Sequence, residues 1–308
     1  MSSNFEKGKY SVIKDPEYGY MRIDPVPTKE YLADYYKSSY YDLIKKGEGA
    51  ESIKRLHERS DETKSEVEWL QKTFYSDIDH ILRDLLPGED SRRILEVGCG
   101  TGDLLSFMVD KGWDAMGIEP SAEATEHYGT QGKLVIYNCF FDEFVKEHGN
   151  FKGIFDAILL MNVLEHVPHP DEFLNMVKSL LKPKKGIVCI KVPNDFSLIQ
   201  ELATKVIHED RWWVAIPDHV NYFNIDTLNS FLQKLGFVVL ERLADFPMEL
   251  FLLLGYNYVK DRSLGKMCHK KRKDFEMSLP GDLRRSFYRK IVSSELGRNI
   301  TFFAQISE

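Results

Sequence analysis

A chain of 308 residues that is 43% hydrophobic can bury a full core, as one large domain with additions or as two smaller ones. Its formal charge of -7 argues against a general nucleic-acid binder and leaves only local basic clusters to meet an anionic ligand. The opening MSSNFEKGKYSVIKDP lacks the apolar run of a signal peptide, and FPMELFLLLGYNYV carries Glu249 and is too short to span a bilayer. A cytoplasmic location with no membrane partner is the expectation. Cys99, Cys139, Cys189 and Cys268 stand far apart with no C-x-x-C pair, so neither a zinc ribbon nor a disulfide framework is expected, and no metal is assigned.

Taken in chain order, residues 1 to 41 are rich in tyrosine, with the turn-like DPVPT before a short helical KEYLADYY. Residues 43 to 65 are charged and weakly apolar, a solvated helix or a connection. Val67, Leu70, Phe74, Ile81 and Leu85 then form a helical stripe that ends at Pro87 and Gly88. From there strands and helices alternate. RRILEVG, DAMGIEP, KLVIYNCF, FDAILLMNV and GIVCIKVP read as strands, while DLLSFMVDKG, SAEATEHYGTQG (with Ser121 as N-cap), DEFVKEHG and DEFLNMVKSLLK read as helices. This alternation predicts βαβ units and a parallel sheet. After the helix DTLNSFLQKLGF, the segments FVVLERL and NITFFAQI read as late edge strands. Roughly fifty residues lie between them, too many for a plain loop, so this insertion should carry its own helices.

ILEVGCGTGDLL places Gly98, Gly100 and Gly102 between the first strand and the next helix, where glycine lets backbone approach a ligand. A dinucleotide fingerprint needs glycine at position 103, and the residue there is Asp103. Together with Glu96 on the strand, that acid would oppose a pyrophosphate. A ligand carrying a sulfonium and an ammonium, as S-adenosylmethionine does, is instead favoured by the same carboxylates. Glu119, twenty-one residues after Gly98, is placed to accept hydrogen bonds from two ribose hydroxyls.

With E-V-G-C-G-T-G followed by G-I-E-P-S, residues 90 to 245 resemble the class I S-adenosylmethionine-dependent methyltransferases. The resemblance implies an α/β fold with a doubly wound, Rossmann-like, seven-stranded and mainly parallel sheet. It implies that Glu96, Gly98, Gly100 and Gly102 line the methionine and ribose side of the cofactor and that Glu119 holds the ribose. Cys139 and Phe140 fall at the adenine, with Cys139 where many members have an aspartate, and Met161 and Asn162 fall at the methionine moiety. LEHVPHP, VPN and DHVNYFNIDTLNSFLQKLGF are similar to the branch that methylates small molecules, including quinone-pathway, sugar and natural-product enzymes. Members of that branch that bind a divalent metal have a carboxylate three residues before the E-H pair, and here that residue is Asn162.

Methyl transfer needs alignment and exclusion of water, with a base only when the acceptor loses a proton. His219 in IPDHVNYF is the candidate base and Tyr222 an orienting group, the alternative being a backbone-bonded His219 beside packed aromatics. Glu165 and His166 either face the acceptor or brace their loop. Tyr36 and Tyr41 are candidates for an aromatic lid over the sulfonium. Trp212 and Trp213 are expected in the substrate wall or an oligomer contact. Lys271 and Arg272, within KMCHKKRKD, are candidates to hold an anionic acceptor, though such clusters are usually solvated helix faces.

The expected layout is a helical lid over residues 1–63, a cofactor-binding core over 64–245 with a cap segment about 196–225, a helical cap over 246–295 and a final core strand over 296–308. The expected activity is O-methylation of a sugar, a nucleotide-linked sugar or a related metabolite by a monomer or homodimer. Nitrogen or carbon acceptors, and a regulatory protein that binds the cofactor without turnover, remain as alternatives.

Overall fold

The structure, a computed structural model, describes residues 9–34, 61–88, 92–122 and 134–307. Two antiparallel strands come first, β1 (Ser11–Lys14) and β2 (Met21–Asp24), followed by α1 (Lys29–Asp34). The segment read as a helical lid therefore opens with a hairpin. Its turn is built by the Asp15 carboxylate, which accepts the Glu17 and Tyr18 amides at 3.0 and 2.7 Å, and by Gly19 at φ +84°. Ile23 and Tyr20 are buried beneath it.

The helical stripe forms α2 (Asp61–Leu70), a π turn (Gln71–Tyr75) and α3 (Ser76–Leu85). Periodicity predicts a continuous α-helix. The π turn departs from it where the Thr73 hydroxyl donates to the Trp69 carbonyl at 2.6 Å, and it re-aims Phe74. The α/β units follow as β3 (Arg93–Val97), α4 (Asp103–Asp110), β4 (Asp114–Ile118), β5 (Val135–Tyr137), α5 (Phe141–Glu147), β6 (Ala157–Met161), α6 (Pro170–Leu180) and β7 (Ile187–Pro193). Next come α7 (Leu198–Ile207), β8 (Asn221–Tyr222), α8 (Ile225–Lys234) and β9 (Phe237–Ala244). The insertion holds α9 (Glu249–Leu253), α10 (Arg262–Ser278) and α11 (Gly281–Ser293), before β10 (Asn299–Ile306). The helix expected over SAEATEHYGTQG lies largely outside the described residues, as do Tyr36 and Tyr41.

The main sheet has the order β5-β4-β3-β6-β7-β10-β9, parallel except for β10, which runs antiparallel to both β7 and β9. All seven strands match the segments read from sequence, but β10, read as an edge strand, lies between β7 and β9, which leaves β9 at that edge. The central strands are apolar on both faces because helices cover both. Leu95, Val97, Ile158, Leu160, Val188, Ile190 and Val192 face α6 and α8, whereas Ile94, Ala157, Leu159, Ile187 and Cys189 face α3 and α4. Each such buried aliphatic side chain contributes roughly 1.5–3 kcal/mol. A smaller sheet, β1-β2-β8, joins the hairpin to the segment around Tyr222.

Among the described residues no helix is long and apolar enough to cross a membrane. The insertion has its own helices, as expected from its length, but α10 and α11 dock on the helix of residues 61–85 rather than standing free. Arg284 and Arg285 both bond the buried Asp77 at 2.9 Å, Trp69 Nε1 donates to Glu276 at 2.7 Å, and Glu66 bonds His269 and Lys273.

Candidate active site

The turn after β3 is fixed by a contact that only glycine permits. Gly98 has φ +71°, and a Cβ there would meet Val163 Cγ2 at 2.9 Å. Its amide and that of Cys99 donate to the Ile118 carbonyl at 2.8 and 3.1 Å, folding the turn onto the end of β4. There Glu119 accepts the Gly100 amide on Oε2 and the Ser121 amide on Oε1, both at 2.9 Å. Burial holds the Glu119 carboxyl above its ordinary range although both amides pull it down. Glu96 is held well above that range, by burial first and then by Asp103 and Glu119, and its Oε2 has no hydrogen-bond partner. No Lys or Arg among the described residues offsets either carboxylate. A ligand with positive charge would recover that loss, and a pyrophosphate would add to it.

The expected adenine residues lie on the other flank of the same turn. Glu119 N–H donates to the Tyr137 carbonyl at 3.0 Å, and Asn138 Nδ2 to the Glu119 carbonyl at 2.9 Å, so the exit of β5 stands beside the exit of β4. Cys139 and Phe140 follow, both half-buried, and the Phe140 amide donates to Glu143 Oε2 at 3.0 Å.

On the opposite flank, β6 ends at Met161 and the chain turns at Asn162, φ +58°, a left-handed conformation that Asn tolerates. Asn162 Nδ2 donates to Glu165 Oε1 at 3.0 Å and its amide to the Lys191 carbonyl at 2.9 Å. The Glu165 carbonyl accepts the Val220 and Asn221 amides at 2.8 and 2.9 Å, and His166 Nδ1 stands 2.7 Å from the Asp218 carbonyl. Both residues therefore brace the segment that carries His219. They also come to it with their side chains. Glu165 Oε1 is 3.8 Å from His166 Nε2, and the rings of His166 and His219 lie 5.0 Å apart, centroid to centroid. Ligand-type atoms of Glu165, His166 and His219 lie within 4.8 Å of one another, a trio that can meet a metal ion from one side. Sequence reading names all three as candidates for the chemistry and assigns no metal.

His219 is held well below its ordinary value by burial, and further by His166 and Arg298, so its imidazole stays neutral. Burial pulls His166 down, but Asp218 and Glu165 more than offset it and raise it. Tyr222, on β8, is fully buried and its hydroxyl is raised, by burial first and then by Asp195. Trp213 is buried edge-on to Phe196 at 5.8 Å, and Trp212 packs against it at 4.9 Å.

Asp195, which sequence reading passed over, stands directly after the end of β7 with only 1% of its surface exposed. Oδ1 accepts from Gln200 at 3.3 Å and lies 3.8 Å from Arg298, which also reaches Glu249 at 3.5 Å. Burial pushes Asp195 up to about 7 despite Arg298. The available signal was N-D-F-S-L-I-Q: an acid at a strand exit, ahead of a Ser-x-x-Gln helix start. Buried side-chain N or O atoms of Glu165, Asn194, Asp195, Trp213, His219, Asn221 and Glu249 have no hydrogen-bond partner. Unpaired buried polar atoms destabilise a fold, and a ligand that bonded them would offset that cost.

The basic cluster corrects one expectation. Arg272 is not free for an anionic acceptor: its guanidinium bonds Asp245 and Glu276, each at 3.1 Å, and stacks over Trp69. Lys271 points to solvent on the exposed side of α10.

Comparison with known proteins fits this geometry. A family model described as a methyltransferase domain matches residues 69–242, more than half of the chain. The ubiquinone biosynthesis O-methyltransferase of Pectobacterium atrosepticum is 35% identical over 97 residues, 30% of this chain and 39% of that protein. The Rhodopseudomonas palustris protein of the same name is 31% identical over 160 residues, 49% of this chain and 60% of that protein. The matches thus span about two fifths to three fifths of these relatives. Among solved structures, a SAM-dependent methyltransferase from Archaeoglobus fulgidus superposes with a TM-score of 0.50 at 16% identity, covering 87% of this chain and 99% of that one. The 1,6-didemethyltoxoflavin-N1-methyltransferase of Burkholderia thailandensis, solved with S-adenosylhomocysteine, gives 0.50 at 12% identity, covering 99% and 98%. These two likenesses establish the fold.

Proposed function

We propose, on the premise that this chain belongs to the methyltransferase-domain family, that it carries a methyl group from S-adenosylmethionine to an oxygen of a small hydroxylated acceptor, a sugar, nucleotide-linked sugar or related metabolite. The observation that supports this most is the pair of buried carboxylates, Glu96 and Glu119, facing a glycine turn without a counter-charge. When bound, the cofactor supplies an electrophilic methyl on a cationic sulfur. Glu96 and the turn at Gly98, Gly100 and Gly102 would hold its methionine side, Glu119 its ribose and Cys139 with Phe140 its adenine. Met161 and Asn162 would close the methyl end.

The acceptor's chemistry follows from the orphaned atoms. Carboxylate oxygens of Glu165, Asp195 and Glu249 lack partners, yet Glu165 faces His166, and Asp195 and Glu249 face Arg298. Arg298 faces two of these carboxylates and hydrogen-bond capacity is left over, which hydroxyl donors of the acceptor would take up. Trp213 offers an apolar wall with one N–H donor. His219, kept neutral, and Tyr222 position the acceptor beside the methyl end.

A melting scan tests the cofactor. S-adenosylhomocysteine should raise the melting temperature in proportion to ligand excess and NAD should not; the reverse would remove the reading. Transfer of labelled methyl to a panel of nucleotide sugars then tests the acceptor class.

A further inference from the structure

Lys191 is a cation that none of these roles uses. The strand register places it on the same face of the sheet as Glu96. Glu96 pairs with Leu159 and Leu159 with Cys189, so the next row on that face, nearer the carboxyl ends of the strands, sets Met161 beside Lys191. Its carbonyl accepts the amide of Asn162, at the expected methyl end of the cofactor. Nζ stands 4.1 Å from the centroid of the Phe74 ring, which the π turn carries into this position. Among the described residues it makes no hydrogen bond and no ion pair.

The charged groups that face Lys191 come from three elements: Asp245 after β9, Arg272 and Glu276 on α10, and Glu165 after β6. Asp245 and Glu276 are already bonded to Arg272, Asp245 also accepts the Asn299 amide at 2.7 Å, and Glu276 accepts from Trp69. Asp245 and Glu276 are thus engaged elsewhere. Burial with so little compensation holds the ammonium below the ordinary lysine value. A buried lysine amine, once deprotonated, is a stronger base than an imidazole depressed as that of His219 is.

We infer that Lys191 is the catalytic proton acceptor of the methyl transfer, an inference that rests on the methyltransferase reading above. The Nζ lone pair takes the proton of the acceptor's O–H, an N–H bond forms as the O–H bond breaks, and the oxygen keeps the electron pair with which it attacks. The C–S pair remains on the cofactor's sulfur, and the ammonium later returns its proton to solvent. Phe74 shields the neutral amine and attracts the ammonium through its ring face.

Two measurements on the full chain test this without any acceptor. Acetic anhydride labelling along a pH series, read by peptide mass spectrometry, should modify Lys191 at lower pH than the exposed Lys270 and Lys271. Saturating S-adenosylhomocysteine should suppress its labelling by roughly tenfold or more. The second is the affinity for S-adenosylmethionine relative to S-adenosylhomocysteine, which differ by the sulfonium charge. A protonated Lys191 repels that charge, so the ratio should rise roughly threefold to tenfold as pH increases through the lysine's titration. Lys191→Met should flatten the rise, and Lys191→Arg should hold the ratio low throughout. Labelling like that of exposed lysines without protection, or the same ratio profile in wild type and Lys191→Met, overturns the assignment. Failure of wild type to bind either compound removes the methyltransferase reading itself.

Discussion

The two halves of the site are built by opposite means. On the cofactor side, backbone amides of Gly100 and Ser121 and the turn at Gly98 do the positioning, and few side chains are needed. On the proposed acceptor side, residues brought from far apart in the chain build a wall in which several buried polar atoms are unpaired. Backbone can present the same chemistry to one invariant ligand. A wall of side chains is where an acceptor is chosen, and its unpaired atoms lower stability until one is bound.

Substitutions can break this comparison, beginning with the largest expected effect. Arg272→Ala should destabilise the fold by about 3–5 kcal/mol, since it leaves Asp245 and Glu276 without their partner, whereas its exposed neighbour Lys271→Ala should change stability by less than about 0.5 kcal/mol. Denaturant midpoints of the two variants measure the contrast, and equal losses would mean that the ion pairs of Arg272 are not formed.

Asp195 gives a pH-dependent test. Its carboxyl is raised from an ordinary 3.8 to about 7 in the folded chain, so the unfolded chain loses the proton first. The stability it contributes is present below the unfolded value and is lost as pH rises through the folded one, by up to about 4 kcal/mol. Asp195→Asn should therefore melt higher than wild type above about pH 7, with little difference near pH 4. Parallel melting curves across that range would show that Asp195 is not a buried acid.

The remaining two separate the halves directly. His219→Gln should lower turnover by roughly 100-fold, about 2.7 kcal/mol, while the melting shift with S-adenosylhomocysteine stays as in wild type. Glu119→Ala should do the converse, weakening S-adenosylhomocysteine binding by about 2 kcal/mol through loss of a charged hydrogen-bond acceptor, as calorimetry would record. If both variants lost cofactor binding alike, the halves would not be independent.

The same contrast explains what the sequence made legible. All seven strands, the glycine turn and Glu119 at its spacing could be read because they depend on local periodicity and on a short loop between one strand and the next. Asp195, Lys191 and Arg298 could not. Each acquires its role from partners across the sheet or on the late helices, which their own neighbourhoods do not name. Lys271 and Arg272 show the limit most clearly: adjacent in sequence and equal in charge, they differ because Asp245, Glu276 and, some two hundred residues earlier, Trp69 hold one of them. The hairpin of residues 11–24 was hidden for a similar reason, since its tyrosines resemble a helical lid until the Asp15 turn is seen.

That hairpin bears on binding itself. β2 pairs Met21 with Tyr222 and Arg22 with Asn221, so the segment that presents His219 and Tyr222 is already a rung of a ladder. The order an acceptor would otherwise have to impose on this wall is set during folding, by a strand two hundred residues upstream. On the proposed reading, preorganisation of this kind would spare the complex the entropy of fixing its own loop and make the first strands of the chain a part of its affinity.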